Sequence, residues 1–250
     1  MRLMNFIMSE KDLINNQTKI SVIWNYIFWF GGLVCMILVA YCIATMLIVF
    51  FLRPPPSTIE GCFKMLNENR IIGLLRLDIL TVFILPLYYL LFFSIYQAIK
   101  RENRELNLFS LILVYAGLTL FLSASSVFSY LILSDRYAIA TTEIERNQLV
   151  AAGEAILSND MWHGTSAIIG GIMMQTGGML FSISMARGNV FNKITGYTGV
   201  FIFGLDLIHI LIGFAFPKIS NIIMIIAGTF YLLWFPLVGF RLFKLSKIKS

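Results

Sequence analysis

Six apolar stretches decide what this chain can become, because each is near or above the roughly 20 residues that a helix needs to cross about 30 Å of hydrocarbon. They run at about Ile27 to Leu52, Leu77 to Ile99, Leu108 to Ser134, Thr165 to Met185, Ile194 to Phe216 and Ile219 to Phe240. The runs are continuous rather than alternating, so they read as helices and not barrel strands; helices satisfy their backbone polar groups internally. A water-soluble globule would need a polar coat that is missing here: 58% of the 250 residues are hydrophobic and 13% charged, against about a quarter charged in soluble domains. The expected fold class is all-α, a polytopic transmembrane bundle of six spans. It forms one domain over residues 1–250, with short interfacial helices in the outer loops.

Six spans place the N-terminus, the loops after spans two and four, and the C-terminus on one side. That side carries twelve Lys and Arg against seven in the other three loops, so the positive-inside rule puts both termini in the cytoplasm and the protein in a cytoplasmic membrane. Asp135, Glu143, Glu145, Glu154 and Asp160 all fall in the outer loop between spans three and four. The first 26 residues hold Glu10, Lys11, Asp12 and Lys19, with no short apolar run ending in a small-residue cleavage site, and so do not read as a removable secretory signal. The basic tail "RLFKLSKIKS" serves as a topology anchor that can also touch anionic lipid.

Net charge +6 brings no basic stripe with interleaved aromatics, so nucleic acid is not an expected partner; the bilayer is, together with a small solute or a proton. Cys35 and Cys42 stand seven residues apart on one helix, about 10 Å of rise and beyond disulfide reach, and Cys62 is alone. No cofactor motif is present: there is no phosphate-binding Gly-rich loop, no "GxSxG" and no "HExxH".

Two outer loops carry helix-start signals. Ser57 with Glu60 after "RPPP", and Thr142 with Glu145, fit capping boxes. Ile59, Phe63 and Leu66 then recur at helical spacing, and the second loop helix is either a lid over a central cavity or a connector lying on the membrane.

The strongest pointer to function is "GLDLIHI" in span five. Asp206 lies about midway along its span, where a charge costs a few kcal/mol and must face the bundle interior, be paired or be protonated. His209, three residues on, shares its helical face and could share a proton or an ion with it. Partners are available in Gln175 and Thr176 of span four and in the serines of span three, with Ser125 and Ser126 as the chosen pair. Two roles stay open: a binding site formed by Asp206, His209, Gln175, Ser125 and Ser126, or a structural staple made by the same groups.

Span four holds Gly170, Gly171, Gly177 and Gly178, at spacings that permit close helix approach. At its outer end, Asp160 can cap the helix beside interfacial Trp162 and His163. With two histidines in the chain, a catalytic metal has few ligands, so no metal site and no catalytic residue is assigned.

The segment from Leu133 to Leu157, the Gly-rich fourth span and "NVFNKITGYTGVF" together resemble an uncharacterised prokaryotic family of six-span integral membrane proteins, a domain of unknown function of the DUF4386 type. The resemblance is carried by Ser134, Asp135 and Tyr137, by the Ala- and Glu-rich loop helix, and by Gly196 and Gly199. It implies an architecture and no chemistry. The expected function is that of a transporter-like protein or sensor for a small molecule or ion; the alternatives are a non-catalytic scaffold or subunit and, more distantly, an intramembrane metal-dependent hydrolase.

Overall fold

A computed structural model of the protein describes residues 10–52 and 54–248, leaving aside the side chains of 10–22. The basic residues Arg2, Lys11, Lys19, Arg53 and Lys249, counted above for topology, and most of the segment read as carrying no secretory signal lie outside the described residues or side chains. Among the described residues every regular element is an α-helix: α1 (Glu10–Leu52), α2 (Ile59–Glu68), α3 (Arg70–Arg76), α4 (Ile79–Ile84), α5 (Leu87–Ile99), α6 (Arg104–Ser123), α7 (Val127–Ile139), α8 (Glu143–Leu157), α9 (Thr165–Arg187), α10 (Lys193–Ile212) and α11 (Pro217–Ser246).

Five helical stretches among them are long and apolar enough to cross a membrane: Ile23–Leu52 of α1, Arg104–Ile139 spanning α6 and α7, α9, α10 and α11. Large apolar side chains such as Phe50, Ile112, Ile194, Ile222 and Ile225 are more than half exposed on the outside of the bundle. In water that surface would aggregate; facing lipid, it is at home.

The stretch expected as one span from Leu77 to Ile99 is instead broken twice. Asp78 adopts a left-handed conformation, φ 64°, which turns α3 into α4; Asp tolerates this region better than most residues. Pro86, with no N–H to give, separates α4 from α5 and leaves an apolar helix of 13 residues. The expected third span is also divided, at Ala124–Ser126, where Ser123 bonds back to the carbonyl of Leu120 and the hydroxyl-rich "SASS" competes with the helix for its own backbone.

The large helices close into a ring in which α1 packs on α11, α11 on α10, α10 on α9, α9 on α6, α6 on α5 and α5 on α1. The α6–α9 seam is the closest, because Gly117 faces Gly170: a Cβ on Gly117 would stand 2.5 Å from the Gly170 carbonyl oxygen. Gly177 meets the Ser110 carbonyl in the same way, while Gly178 lies against the ring of Phe203 on α10. α5 also reaches α9 and α11, filling the ring's interior with fully buried Leu91, Phe92 and Ile95.

One end of the bundle is knitted by polar contacts. Ser94 donates to the Ile27 carbonyl at 3.0 Å, Lys100 sits 4.3 Å over the Trp24 ring, and Asn107 donates to the Ile99 carbonyl at 2.9 Å. The Glu102 carboxylate accepts from the backbone N–H of Asn189 at 2.6 Å and of Val190 at 3.0 Å, and Arg241 donates to the Val190 carbonyl. These bonds bring together the starts of α6 and α10, the ends of α5, α9 and α11, and the Trp24 level of α1. Lys100, Arg101, Arg104, Arg187, Lys193, Arg241, Lys244 and Lys247 make this the basic end.

At the far end, α2, α3, α7 and α8 build a separate small cluster around Ile59, Phe63, Leu66 and Tyr130. The N-cap of α2 is Thr58, which accepts from the Gly61 N–H at 3.2 Å; the expected cap at Ser57 is one residue early. Thr142 caps α8 by accepting from the Glu145 N–H at 3.2 Å. The α8 helix packs on α7 and α2, its Gly153 against Ile59. The residues behind the family resemblance tie this cluster together: Ser134 donates to the Phe63 carbonyl at 3.1 Å, Asp135 pairs with Arg70, and the Tyr137 ring lies 5.3 Å from that of Phe63.

Candidate functional site

Inside the ring, toward the far end, lies a cavity of about 910 Å³. Tyr41, Cys42 and Thr45 of α1, Thr81 of α4, Tyr88 of α5, Gln175 of α9, Asp206 and His209 of α10, and Ser220, Gly228 and Tyr231 of α11 contribute to its wall, with Trp162 and His163 from the loop before α9. Rings close its floor toward the basic end: Tyr231 stacks on Phe235 at 5.2 Å, Phe203 meets Trp234 edge-on at 5.2 Å, and Tyr88 meets Phe235 edge-on at 6.1 Å. Phe92, Phe203, Trp234 and Phe235 are buried in this layer.

The cavity lies where it does because the helices separate there. Near the basic end α1 and α11 touch through Gly32 against Phe243 and Gly239 against Cys35 and Met36. Further along α11 the contact is lost, and a Cβ on Gly228 would find no atom within 4 Å.

Asp206 projects from α10 about 20 Å along the helix from Lys193, and Gln175 stands at about the same depth on α9. The carboxylate Oδ2 accepts a hydrogen bond from the Tyr231 hydroxyl at 2.7 Å, which ties α10 to α11. Its second oxygen has no hydrogen-bond partner among the described residues. Gln175 is 8% exposed, and its buried carbonyl Oε1 is likewise without a partner.

His209 does not pair with Asp206. Its Nδ1 lies 2.6 Å from the Ser220 hydroxyl and 3.1 Å from the Ser220 carbonyl oxygen, while that hydroxyl also reaches the His209 carbonyl at 3.0 Å. A carbonyl oxygen only accepts while a hydroxyl can do either, so the two contacts fix the ring against Ser220 for either neutral tautomer. The expected shared proton is replaced by two separate ties to α11, three residues apart on α10.

Ser125 and Ser126 do not join the other candidates. Both sit at the break between α6 and α7, about 10 Å nearer the far end than Asp206 by helical rise, and neither lines the cavity. The Ser125 hydroxyl is buried without a partner, and Ser126 begins α7 without a side-chain cap bond. The sequence places them mid-span because it takes α6 and α7 as one helix starting at Leu108, whereas α6 already begins at Arg104.

Asp160 caps the turn ahead of α9 and not α9 itself, whose N-cap is Gly164. Its Oδ1 accepts from the N–H groups of Trp162 and His163 at 2.8 and 2.9 Å and lies 2.9 Å from His163 Nδ1. That holds the His163 ring at the cavity wall. Among the described residues no three His, Cys, Asp or Glu side chains gather closely enough to hold a metal ion.

Sequence reasoning missed Tyr231, Tyr88 and Ser220. Tyr231 is hidden in the apolar run "GTFYLLWF", and its signal is a phenol inside a span, which needs an acceptor when buried. The Tyr41 hydroxyl, 2.5 Å from the Thr81 hydroxyl, was discoverable in the same way.

No family model, curated protein or solved structure matches the chain. The cavity must therefore be read from its own chemistry. It presents a carboxylate and further acceptors on a wall otherwise dominated by aromatic and aliphatic side chains, the usual make-up of a small-molecule site.

Proposed function

We propose that the protein is a multi-pass membrane protein that binds a small molecule or ion in its far-end cavity and acts as a transporter-like protein or a sensor. The reading includes six crossings, the second made of α4 and α5 together. Residues 79–99 span about 30 Å even with the break at Pro86. It also puts the basic end in the cytoplasm, where eight described Lys and Arg residues gather. The cavity then opens toward the outer face, with the aromatic floor sealing it from the inner one. The family resemblance adds an architecture of the same kind and no activity.

One observation carries the functional part: Asp206 stands at membrane depth, beside open space, with one neutral hydrogen bond and no Lys or Arg among the described residues of the cavity wall. Intramembrane carboxylates in that position mark ligand or ion paths. No reaction is assigned to the cavity.

The scaffold reading has one specific support, the Tyr231–Asp206 bond, which clasps α10 to α11 as a staple would. Thiol accessibility separates the two. Cys35 and Cys62 are buried, and burial holds the Cys62 thiol above its ordinary pKa, but Cys42 lines the cavity, so the background variant replaces all three. In that background, Gly228→Cys should react with a membrane-impermeant thiol reagent added outside and not with the same reagent added inside. Absence of reaction from either face would leave the scaffold; reaction from the inner face alone would reverse the topology.

A further inference from the structure

We infer that the ligand of this cavity is an organic cation, an ammonium-type head carried on an apolar or aromatic body. The inference rests on the reading that the cavity is a binding site, and it assigns the chemistry of what binds.

The wall holds neutral donors in the Tyr88 hydroxyl, the Trp162 indole and the Gln175 and Asn221 amides, but its acidic group is a carboxylate. Asp206 has one oxygen occupied by Tyr231 and the other without a partner among the described residues. Gln175 holds an unpartnered carbonyl oxygen in a side chain more than nine-tenths buried. His209 is held by its Nδ1 against Ser220, with Nε2 left without a partner among the described residues. Among the described residues that line the cavity there is no Lys and no Arg. An anionic ligand would meet a carboxylate and no counter-charge, and a neutral one would leave that carboxylate unbalanced in a low-dielectric setting, where charge interactions are strongest.

Size and lining decide which cation. A bare metal ion needs a tight cage of roughly six oxygens or a cluster of His and acidic ligands, and no such group exists among the described residues. A volume of about 910 Å³ is instead that of a drug-sized organic molecule. Tyr88, Trp162, Phe214 and Tyr231 supply aromatic rings to the same wall. Ring faces attract ammonium-type cations, and the attraction grows when water is displaced.

The test uses full-length protein in phosphatidylcholine nanodiscs and two rigid probes of nearly equal size and opposite charge, tetraphenylphosphonium and tetraphenylborate, measured by equilibrium dialysis against empty discs. The expected result is saturable binding of the phosphonium at one site per chain and no saturable binding of the borate. Asp206→Asn should weaken the phosphonium at least tenfold, and Gly228→Phe, which places a ring in the cavity and keeps Asp206, should do the same. Equal binding of both probes, or an Asp206→Asn protein that binds the phosphonium like wild type, overturns the cation assignment and leaves the cavity as a site. Binding of the neutral dye N-phenyl-1-naphthylamine, lost in Gly228→Phe, while the phosphonium fails to bind does the same. If none of the three probes binds saturably, the binding-site reading falls together with the cation.

Discussion

Two regions of the bundle use glycine in opposite ways. Toward the basic end and along the α6–α9 seam, glycines are where helices touch: Gly117 meets Gly170, Gly196 meets Ala186, and Gly199 lies against Ser182 and the Trp234 indole. At mid-depth along α10 and α11, Gly204 and Gly228 face nothing within 4 Å of where a Cβ would stand. Helices in lipid gain little from hiding apolar surface from one another, so their cohesion depends on close packing and on hydrogen bonds. The packed seams hold the fold; at Gly228 the same residue type makes room for the cavity.

That contrast can be broken at graded cost. The largest loss belongs to the seam: Gly117→Leu would drive a side chain into the backbone of α9, and about 3 kcal/mol of destabilisation is expected, seen as a fall on the order of 10 °C in the melting temperature of purified protein. A smaller loss follows Asp206→Leu, which removes the acceptor of the Tyr231 hydroxyl; about 1 kcal/mol is expected for an interhelical hydrogen bond of this kind. Asp206→Asn keeps an acceptor for that hydroxyl and should melt within a degree or two of wild type. The smallest effect is expected at Gly228→Phe, which enters open space and leaves the melting temperature of the unliganded protein almost unchanged. A severe loss there would show that the wall at Gly228 is packed and not open.

How much of this was legible in the sequence follows from which interactions are local. Apolar length and charge distribution are properties of consecutive residues, so the helical membrane character is plain from the chain alone. The depth of Asp206 is equally legible, since it follows from counting along one helix. Breaks were harder: Pro86 and "SASS" lie inside apolar runs whose hydropathy stays high across them, and Asp78 shows its left-handed turn only in three dimensions. Partners were hardest. Whether Asp206 meets a serine of α6–α7, His209 or Tyr231 depends on the rotation and depth of neighbouring helices, and a shift of about 10 Å in the depth of Ser125 takes it out of range. Polar residues elsewhere in the chain nominate candidates; only packing selects among them.

The measurement that bears most directly on the account is the ligand-induced change in melting temperature of wild type and Asp206→Asn in nanodiscs, with tetraphenylphosphonium raised to a hundred times its half-saturating concentration for wild type. Binding to the folded state alone should add about 2.7 kcal/mol at that ratio. The account predicts a clear rise for wild type, almost none for Asp206→Asn, and nearly equal melting temperatures for the two proteins without ligand. An Asp206→Asn protein that melts far below wild type and gains as much from the cation would contradict it, and would make the aspartate a clasp between α10 and α11.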